Sequence, residues 1–330
     1  MNIIVQKFGG TSVDSKEKLD KVVTRIIDTY KKGIKVVVVV SAQGRATDEL
    51  ILKSKEYSNG NHLRELDLLM STGELQTVAL LTMMLKDKGC SAMSLTGEQA
   101  GIITTSEYGN AKISRIVNLN LIKYLEEDIV CVVAGFQGVD RFGNITTLGR
   151  GGSDLSAVAI ASSLRARRCE IYTDVDGIYS ADPKIVSKTK LLKSISYEEM
   201  LEAATCGAKV LHNRSVGVAR IFNMPVIVKN AKRENIGTKI EELYKEEKIE
   251  IEKYGAKIIT KSEEVAKISI VGDSLISYPD ILGIIFANAT MLGTPVIMIT
   301  VSEICINIIV KKEGSEKLVN VLHEKLIDNK

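Results

Sequence analysis

Residues 35–40 read K-V-V-V-V-V. Five valines in succession put a β-branched side chain on both faces of any strand they form, so neither face can meet water. Such a strand belongs inside a sheet covered on both sides, and the chain has to supply the covering layers. It supplies them in alternation. Residues 3–8 are a short apolar run ending at Gly9-Gly10, and a helix is predicted from about Asp14 through V-V-T-R-I-I-D-T-Y. There follow a helix over 63–86, a strand over 91–95 and a buried strand over 128–134 that ends at Gly135. An alanine-rich helix over 156–164 and strands over 169–173 and 225–229 complete the pattern. The expected fold class is α/β, a mostly parallel sheet sandwiched by helices.

The character changes after Gly237-Thr238. Residues 241–252 are dense in charge and lack glycine and proline, which reads as a solvated linker or surface helix. From Val265 the pattern is strand, helix over 280–292, two strands (V-I-M-I-T and I-C-I-N-I-I-V) and a helix over 313–326. That β-α-β-β-α order is ferredoxin-like, a small α+β domain. The expected boundaries are 1–240, 241–263 and 264–330.

Several function classes are disfavoured. Net charge is +3 with scattered basic residues, tryptophan is absent and aromatics are 5%. The chain has neither the field nor the stacking surfaces for nucleic acid. Cys90, Cys131, Cys169, Cys206 and Cys305 show no C-x-x-C spacing and mostly sit in apolar runs, as buried reduced thiols do. His62, His212 and His323 lie too far apart in sequence to suggest zinc. The N-terminus enters a strand directly without signal-peptide regions, and no apolar run reaches the ~18 residues of a bilayer span. A cytoplasmic protein with no membrane partner is expected.

Ligands of such sheets gather at the carboxyl ends of strands. Four segments sit there. K-F-G-G-T-S (7–12) pairs a lysine with glycines before a helix; it is either an anion-binding turn or a plain tight turn. S-A-Q-G-R-A-T-D (41–48) is polar and flexible after the valine strand. T-T-L-G-R-G-G-S-D (146–154) frames Arg150 and Asp154 with three glycines. Arg150 suits a carboxylate in bidentate fashion. Asp154 is either a helix-start acid or the receiver of an ammonium. Y-T-D-V-D-G-I-Y-S-A-D-P-K (172–184) could hold a base and phosphates or could be a pair of turns. Together these features suggest phosphoryl transfer to an amino acid. A carboxylate acceptor needs no general base near neutral pH, so the task is electrostatic: two anions must be brought together.

In this order the segments closely resemble the aspartate kinases of the amino acid kinase family. The resemblance also rests on S-T-G-E (71–74), S-L-T-G-E-Q-A-G-I-I-T (94–104) and G-A-K-V-L-H (207–212), and extends to about Ile240. It implies MgATP-dependent phosphorylation of the L-aspartate β-carboxylate, the first step towards lysine, threonine and methionine. By that resemblance Lys7 and Lys209 would neutralise the transferring phosphate, with Gly9, Gly10 and Thr11 lining its pocket. Ser41, Thr47, Glu74, Arg150, Ser153 and Asp154 would form the aspartate pocket, Arg150 on the α-carboxylate and Glu74 and Asp154 near the ammonium. Thr173, Asp174, Tyr179 and Lys184 would cradle ATP. Magnesium is implied only as MgATP, with no protein ligand named.

The chain also departs from that family's pattern. Asn213 stands where proline is usual, and the proline before Gly237-Thr238 is missing. There is room for about one of two small regulatory domains of the ACT type, the other being reduced to the linker and a strand over 256–260. Pro279-Asp280 replaces the usual Pro-Gly at the entry of a helix where an effector would bind. Weak or altered feedback by lysine or threonine is expected, with the small domain mediating a homodimer or higher homo-oligomer. The alternatives are another carboxylate amino acid kinase and a non-catalytic regulatory paralogue.

Overall fold

The computed structural model describes residues 1–328 apart from 187, 206, 207, 209, 235, 243–256, 261, 273 and 274. The chain divides into a large unit, Met1–Thr260, and a small one, Lys261–Lys330. In the large unit the strands are β1 (Ile3–Phe8), β2 (Lys35–Val40), β3 (Ala92–Leu95), β4 (Ile102–Thr104), β5 (Ile113–Ile116), β6 (Val130–Ala134), β7 (Gln137–Val139), β8 (Ile145–Thr147), β9 (Arg168–Thr173), β10 (Ser194–Ile195), β11 (Val226–Asn230) and β12 (Thr238–Ile240). The helices are α1 (Lys16–Tyr30), α2 (Ala46–Tyr57), α3 (Leu63–Asp87), α4 (Leu119–Glu126), α5 (Gly152–Ser163), α6 (Tyr197–Thr205) and α7 (Asn213–Ile221).

Eight strands form one sheet in the order β10-β12-β11-β9-β1-β2-β6-β3, and every pair is parallel except β11–β12. The valine run does what its pattern demands. Val37 and Val39 enter a core with Leu121, Leu125, Ala157 and Ile160. Val36, Val38 and Val40 enter the opposite core with Leu19, Val23, Ile26 and Leu81. Each of the five valines is at most 1% exposed, so each contributes roughly 1.5–3 kcal/mol of burial. Helix α1 begins because the Ser15 hydroxyl accepts from the Lys18 N–H, with Glu17 in the first turn. Helix α3 is long and apolar enough by composition to cross a bilayer, yet half of its most apolar window is buried within the protein.

Two hairpins interrupt the alternation and build a second sheet, β5-β4-β7-β8. Its strands are three or four residues long, too short for the pattern-based prediction to resolve. The β7–β8 hairpin lies between β6 and its crossover helix α5, at the carboxyl end of the main sheet. Three expectations are revised. Residues 41–48 are not wholly flexible, because α2 starts at Ala46. Helix α5 starts at Gly152 rather than Ser156, since Gly151 is left-handed and the helix turns directly from it. Residues 257–260 form no strand; Ile259 N–H donates to Ser180 O at 2.9 Å and Ile258 packs on the large unit's core. Most of the charge-dense stretch 241–252 lies outside the described residues, as do Ala256 and Cys206.

The small unit has strands β13 (Val265–Val271), β14 (Val296–Val301) and β15 (Cys305–Lys311), and helices α8 (Asp280–Met291) and α9 (Ser315–His323). The sheet order β13-β15-β14 is antiparallel throughout. Ile306, Ile308 and Val310 of β15 pack with Ile285, Leu318 and Leu322 from the helices. This is the ferredoxin-like α+β arrangement that the sequence order predicts.

One charge cluster ties three central strands of the large unit. Glu170 on β9, 2% exposed, accepts from Gln6 Nε2 of β1 at 3.1 Å, Lys229 Nζ of β11 at 2.9 Å and the Tyr172 hydroxyl at 2.8 Å. Burial pushes the Glu170 carboxyl up, but the Lys229 ammonium and these donors outweigh it and bring it from an ordinary 4.5 down to about 2. A depressed carboxyl stabilises the fold above its unfolded value and loses that contribution as pH falls. Urea midpoints of the wild type should therefore drop steeply between about pH 4.5 and pH 2, and less steeply in Glu170→Gln. Lys229→Met should cost about 2 kcal/mol at pH 7, since it removes one of the two cations beside a buried charge and leaves only Arg168 Nε, at 2.9 Å, to pair with it.

Candidate functional site

Strand β1 is flanked by β2 and β9, so its carboxyl end lies at the centre of the sheet edge. There the chain turns through Gly9 and a short 3-10 segment, Gly10–Ser12. Gly10 has no room for a side chain: a Cβ would lie 2.6 Å from Ala42 O in the loop after β2. Gly44 N–H donates to Gly10 O at 3.1 Å, which fixes the two loops against each other. Lys7, the penultimate residue of β1, is 9% exposed and its Nζ lies 2.6 Å from Asp154 Oδ1. Asp154 sits in the first turn of α5, which no side chain caps.

Around this pair opens a cavity of about 830 Å³. Its lining brings together Lys7, Gly10, Ser41, Thr47, Glu74, Arg150, Ser153 and Asp154, each singled out from the sequence. Arg150 is exposed and forms no hydrogen bond or ion pair with another described residue. Glu74 of α3 is 2% exposed; its Oε1 accepts from Ala42 N at 3.0 Å, while its buried Oε2 has no partner among the described residues. Burial raises the Glu74 carboxyl to about 7, against the pull of the Ala42 N–H and the Lys7 charge. The cavity therefore offers an open guanidinium, an under-satisfied carboxyl and a lysine held beside an uncapped helix start. An amino acid and a phosphoryl group match those three demands.

The remaining predicted residues do not line this cavity. Gly9 lies next to it, its N–H donating to Tyr172 O at 3.2 Å. Thr173 and Asp174 follow Tyr172 at once, and the Thr173 hydroxyl donates to Asp174 Oδ1 at 3.2 Å. Tyr179 donates to Asp176 Oδ2, which Arg233 also grips. Lys184 is exposed, its N–H bonded to Asp182 Oδ1. Thr11 is exposed in the 3-10 turn, and Lys209 lies outside the described residues. So the acceptor-side residues converge on one side of β1, and Thr173 and Asp174 lie beside β1 at the end of β9, on its other side.

Several lining residues were not singled out from the sequence: Asp48 and Ile51 of α2, Met70 of α3, Gly109 and Phe136. Phe136 carries a positive φ of 67°, unusual for an aromatic residue. Its place directly after Gly135, at the end of the buried strand β6, was the available signal. Asp48 escaped because helix α2 did.

Comparison with known proteins identifies the family and the fold. The family model described as the amino acid kinase family matches residues 2–230. The aspartokinase of Geobacillus stearothermophilus is 47% identical over 272 residues, 82% of this chain and 66% of that protein. Aspartokinase 2 of Bacillus subtilis (strain 168) is 49% identical over 242 residues, 73% of this chain and 59% of that protein. The chain thus spans between 59% and 66% of the length of these curated relatives. Among solved structures, aspartate kinase from Synechocystis matches with a TM-score of 0.67 at 30% identity, over 98% of this chain and 69% of that one. E. coli aspartokinase III, solved with lysine and aspartate, shares the fold with a TM-score of 0.79 at 24% identity, over 98% of this chain and 83% of that one.

The raised Glu74 carboxyl has a stability consequence of its own. The folded state holds this proton more tightly than the unfolded one, so stability falls as pH rises from about 4.5 to 7 and stays lower above. Glu74→Gln should be more stable than wild type by about 3 kcal/mol at pH 8, and the difference should close towards pH 4.5. Urea denaturation at the two pH values checks this; equal stabilities at both would contradict the raised carboxyl.

Proposed function

This chain belongs to the amino acid kinase family, and we propose that it transfers the γ-phosphoryl group of MgATP to the β-carboxylate of L-aspartate, forming 4-phospho-L-aspartate. The observation that carries the reading is the pairing, in one cavity, of a partnerless Arg150 with a partnerless buried Glu74 oxygen beside the Lys7–Asp154 pair. The names of relatives at 47% and 49% identity support the same substrate.

In this reading Arg150 holds the α-carboxylate through two N–H donors. The ammonium takes Glu74, whose empty oxygen supplies the acceptor and which ionises as the cation arrives. Asp154 is engaged by Lys7, so its part is to aim that ammonium at the phosphoryl group rather than to bind the amino acid. Ser41, Thr47 and Ser153 are left to orient the β-carboxylate. That carboxylate attacks the γ-phosphorus, ADP leaves, and no proton need be abstracted. Lys7 and the first-turn N–H groups of α5 offset the charge of two approaching anions. Gly9, Gly10 and Thr11 border the phosphates, and Thr173, Asp174, Tyr179 and Lys184 take the rest of the nucleotide, with Lys209 assigned by resemblance alone. Among the described residues no three His, Cys, Asp or Glu side chains converge on a metal position. In this reading magnesium enters as part of the MgATP substrate, where it neutralises phosphate charge.

For the small unit we propose a role in self-association, without strong feedback control. Asp280 stands in the first turn of α8, where its charge opposes an effector carboxylate.

With MgATP, L-aspartate and hydroxylamine, wild type should form aspartyl hydroxamate. Arg150→Ala should lower kcat/KM for aspartate roughly a hundredfold, and Lys7→Met should lower kcat by a similar factor. A folded wild type that phosphorylates glutamate or another acid instead would overturn the substrate assignment. Lysine and threonine should not inhibit; a submillimolar inhibition constant for either would contradict the proposed regulation.

A further inference from the structure

Asp67 is fully buried on α3 and takes no part in the proposed chemistry. Its carboxylate accepts from three donors in four contacts, and no cation pairs with it among the described residues. Gly109 N–H reaches Oδ1 at 3.0 Å and Oδ2 at 2.9 Å. Thr147 reaches it twice, from N at 2.8 Å and from Oγ1 at 2.7 Å. A buried anion is costly, and a neutral amide at this place would turn an N–H₂ towards groups that are themselves donors. An acceptor with two oxygens satisfies all three donors.

What the carboxylate grips is the root of the loop that carries Arg150. Thr147 ends β8, and Leu148, Gly149 and Arg150 follow it directly. Gly109 lines the cavity and Gly149 lies against it: a Cβ on Gly149 would stand 3.1 Å from both Gly109 O and Asn110 Oδ1. From the other side Arg214 of α7 donates to Leu148 O at 2.5 Å, Asn110 Oδ1 at 3.1 Å and Ala111 O at 2.8 Å. Thus Asp67 and Arg214 clamp two neighbouring loops, 109–111 and 147–149, into one body.

Asp67 and Glu74 are seven residues apart on α3, two turns along one face, which places them about 10 Å apart along the axis. One rigid helix therefore carries both the cavity's open carboxyl and the anchor of its open guanidinium. We infer that Asp67 and Arg214 are positioning residues that set the place of Arg150 relative to Glu74, and so the fit of an amino acid's two charged ends. In its enzymatic form this rests on the proposed kinase reading.

The test uses Thr147→Val, Thr147→Ser and Arg214→Lys alongside Asp67→Asn, which replaces one of the two acceptor oxygens by a donor. Thr147→Val deletes one donor to Asp67 at nearly constant volume. It should raise KM for aspartate about tenfold while KM for MgATP stays within about twofold, and Thr147→Ser should restore the wild-type value. Arg214→Lys should act in the same direction. Equal changes in both KM values, a fall in kcat alone, or no rescue by serine would overturn the inference. Hydrogen exchange on the full-length protein reads the clamp without catalysis: peptides spanning 109–111 and 147–152 should lose protection in Thr147→Val and Asp67→Asn, while β2 does not. If wild type phosphorylates no amino acid, the kinase reading fails, and the exchange result still decides this one; unchanged protection would sink it.

Discussion

Burial of the main sheet on both faces is the constraint on which the rest of the large unit depends. Strands β1, β2 and β6 have no wet face, so their backbones can meet a ligand only where the strands end. The two glycines after β1, the turn after β2 and the Gly135-Phe136 step after β6 all lie at the carboxyl edge for that reason. The β7–β8 hairpin is inserted at the same edge and delivers the start of α5 beneath it. Lys7 reaches Asp154 because a buried central strand and an uncapped helix start are brought together there.

Three of the buried carboxylates meet that environment in three ways. Glu170 is held ionised by Lys229 and its hydrogen-bond donors. Asp67 is satisfied by three donors, none of them a cation. Glu74 has a single donor and an oxygen with none. The first two are complete within the protein and serve its architecture. Glu74 is incomplete until something arrives, and the cost of its burial appears as a carboxyl raised to about 7. An unmet polar demand facing a cavity is the physical mark of a binding position.

Much of this was legible in the residues themselves. The valine run announced double burial, and K-F-G-G-T-S and G-R-G-G-S-D stood out because glycine beside charge has few structural uses. Helix α2 was not legible, since it has no buried residue and hence no apolar stripe to betray it. Asp67 was equally silent. On α3 it reads as one more charged residue, and its three donors come from positions 42 and 80 residues away. Phe136 gave no sign of its left-handed backbone, which follows from packing of the turn after β6 against α5.

The sequence by itself determined the two-sided sheet, its mostly parallel order, the small α+β unit and the segments that supply the chemistry. Apolar periodicity and glycine placement are local properties, and they decide those matters before any long-range contact forms. Only the tertiary structure decided which charges meet. It paired Lys7 with Asp154, left Arg150 open and left Glu74 one partner short. It also used a buried aspartate two turns away to hold the arginine's loop. Those outcomes depend on distances between groups far apart in the chain, and electrostatics and hydrogen bonding act on such distances alone.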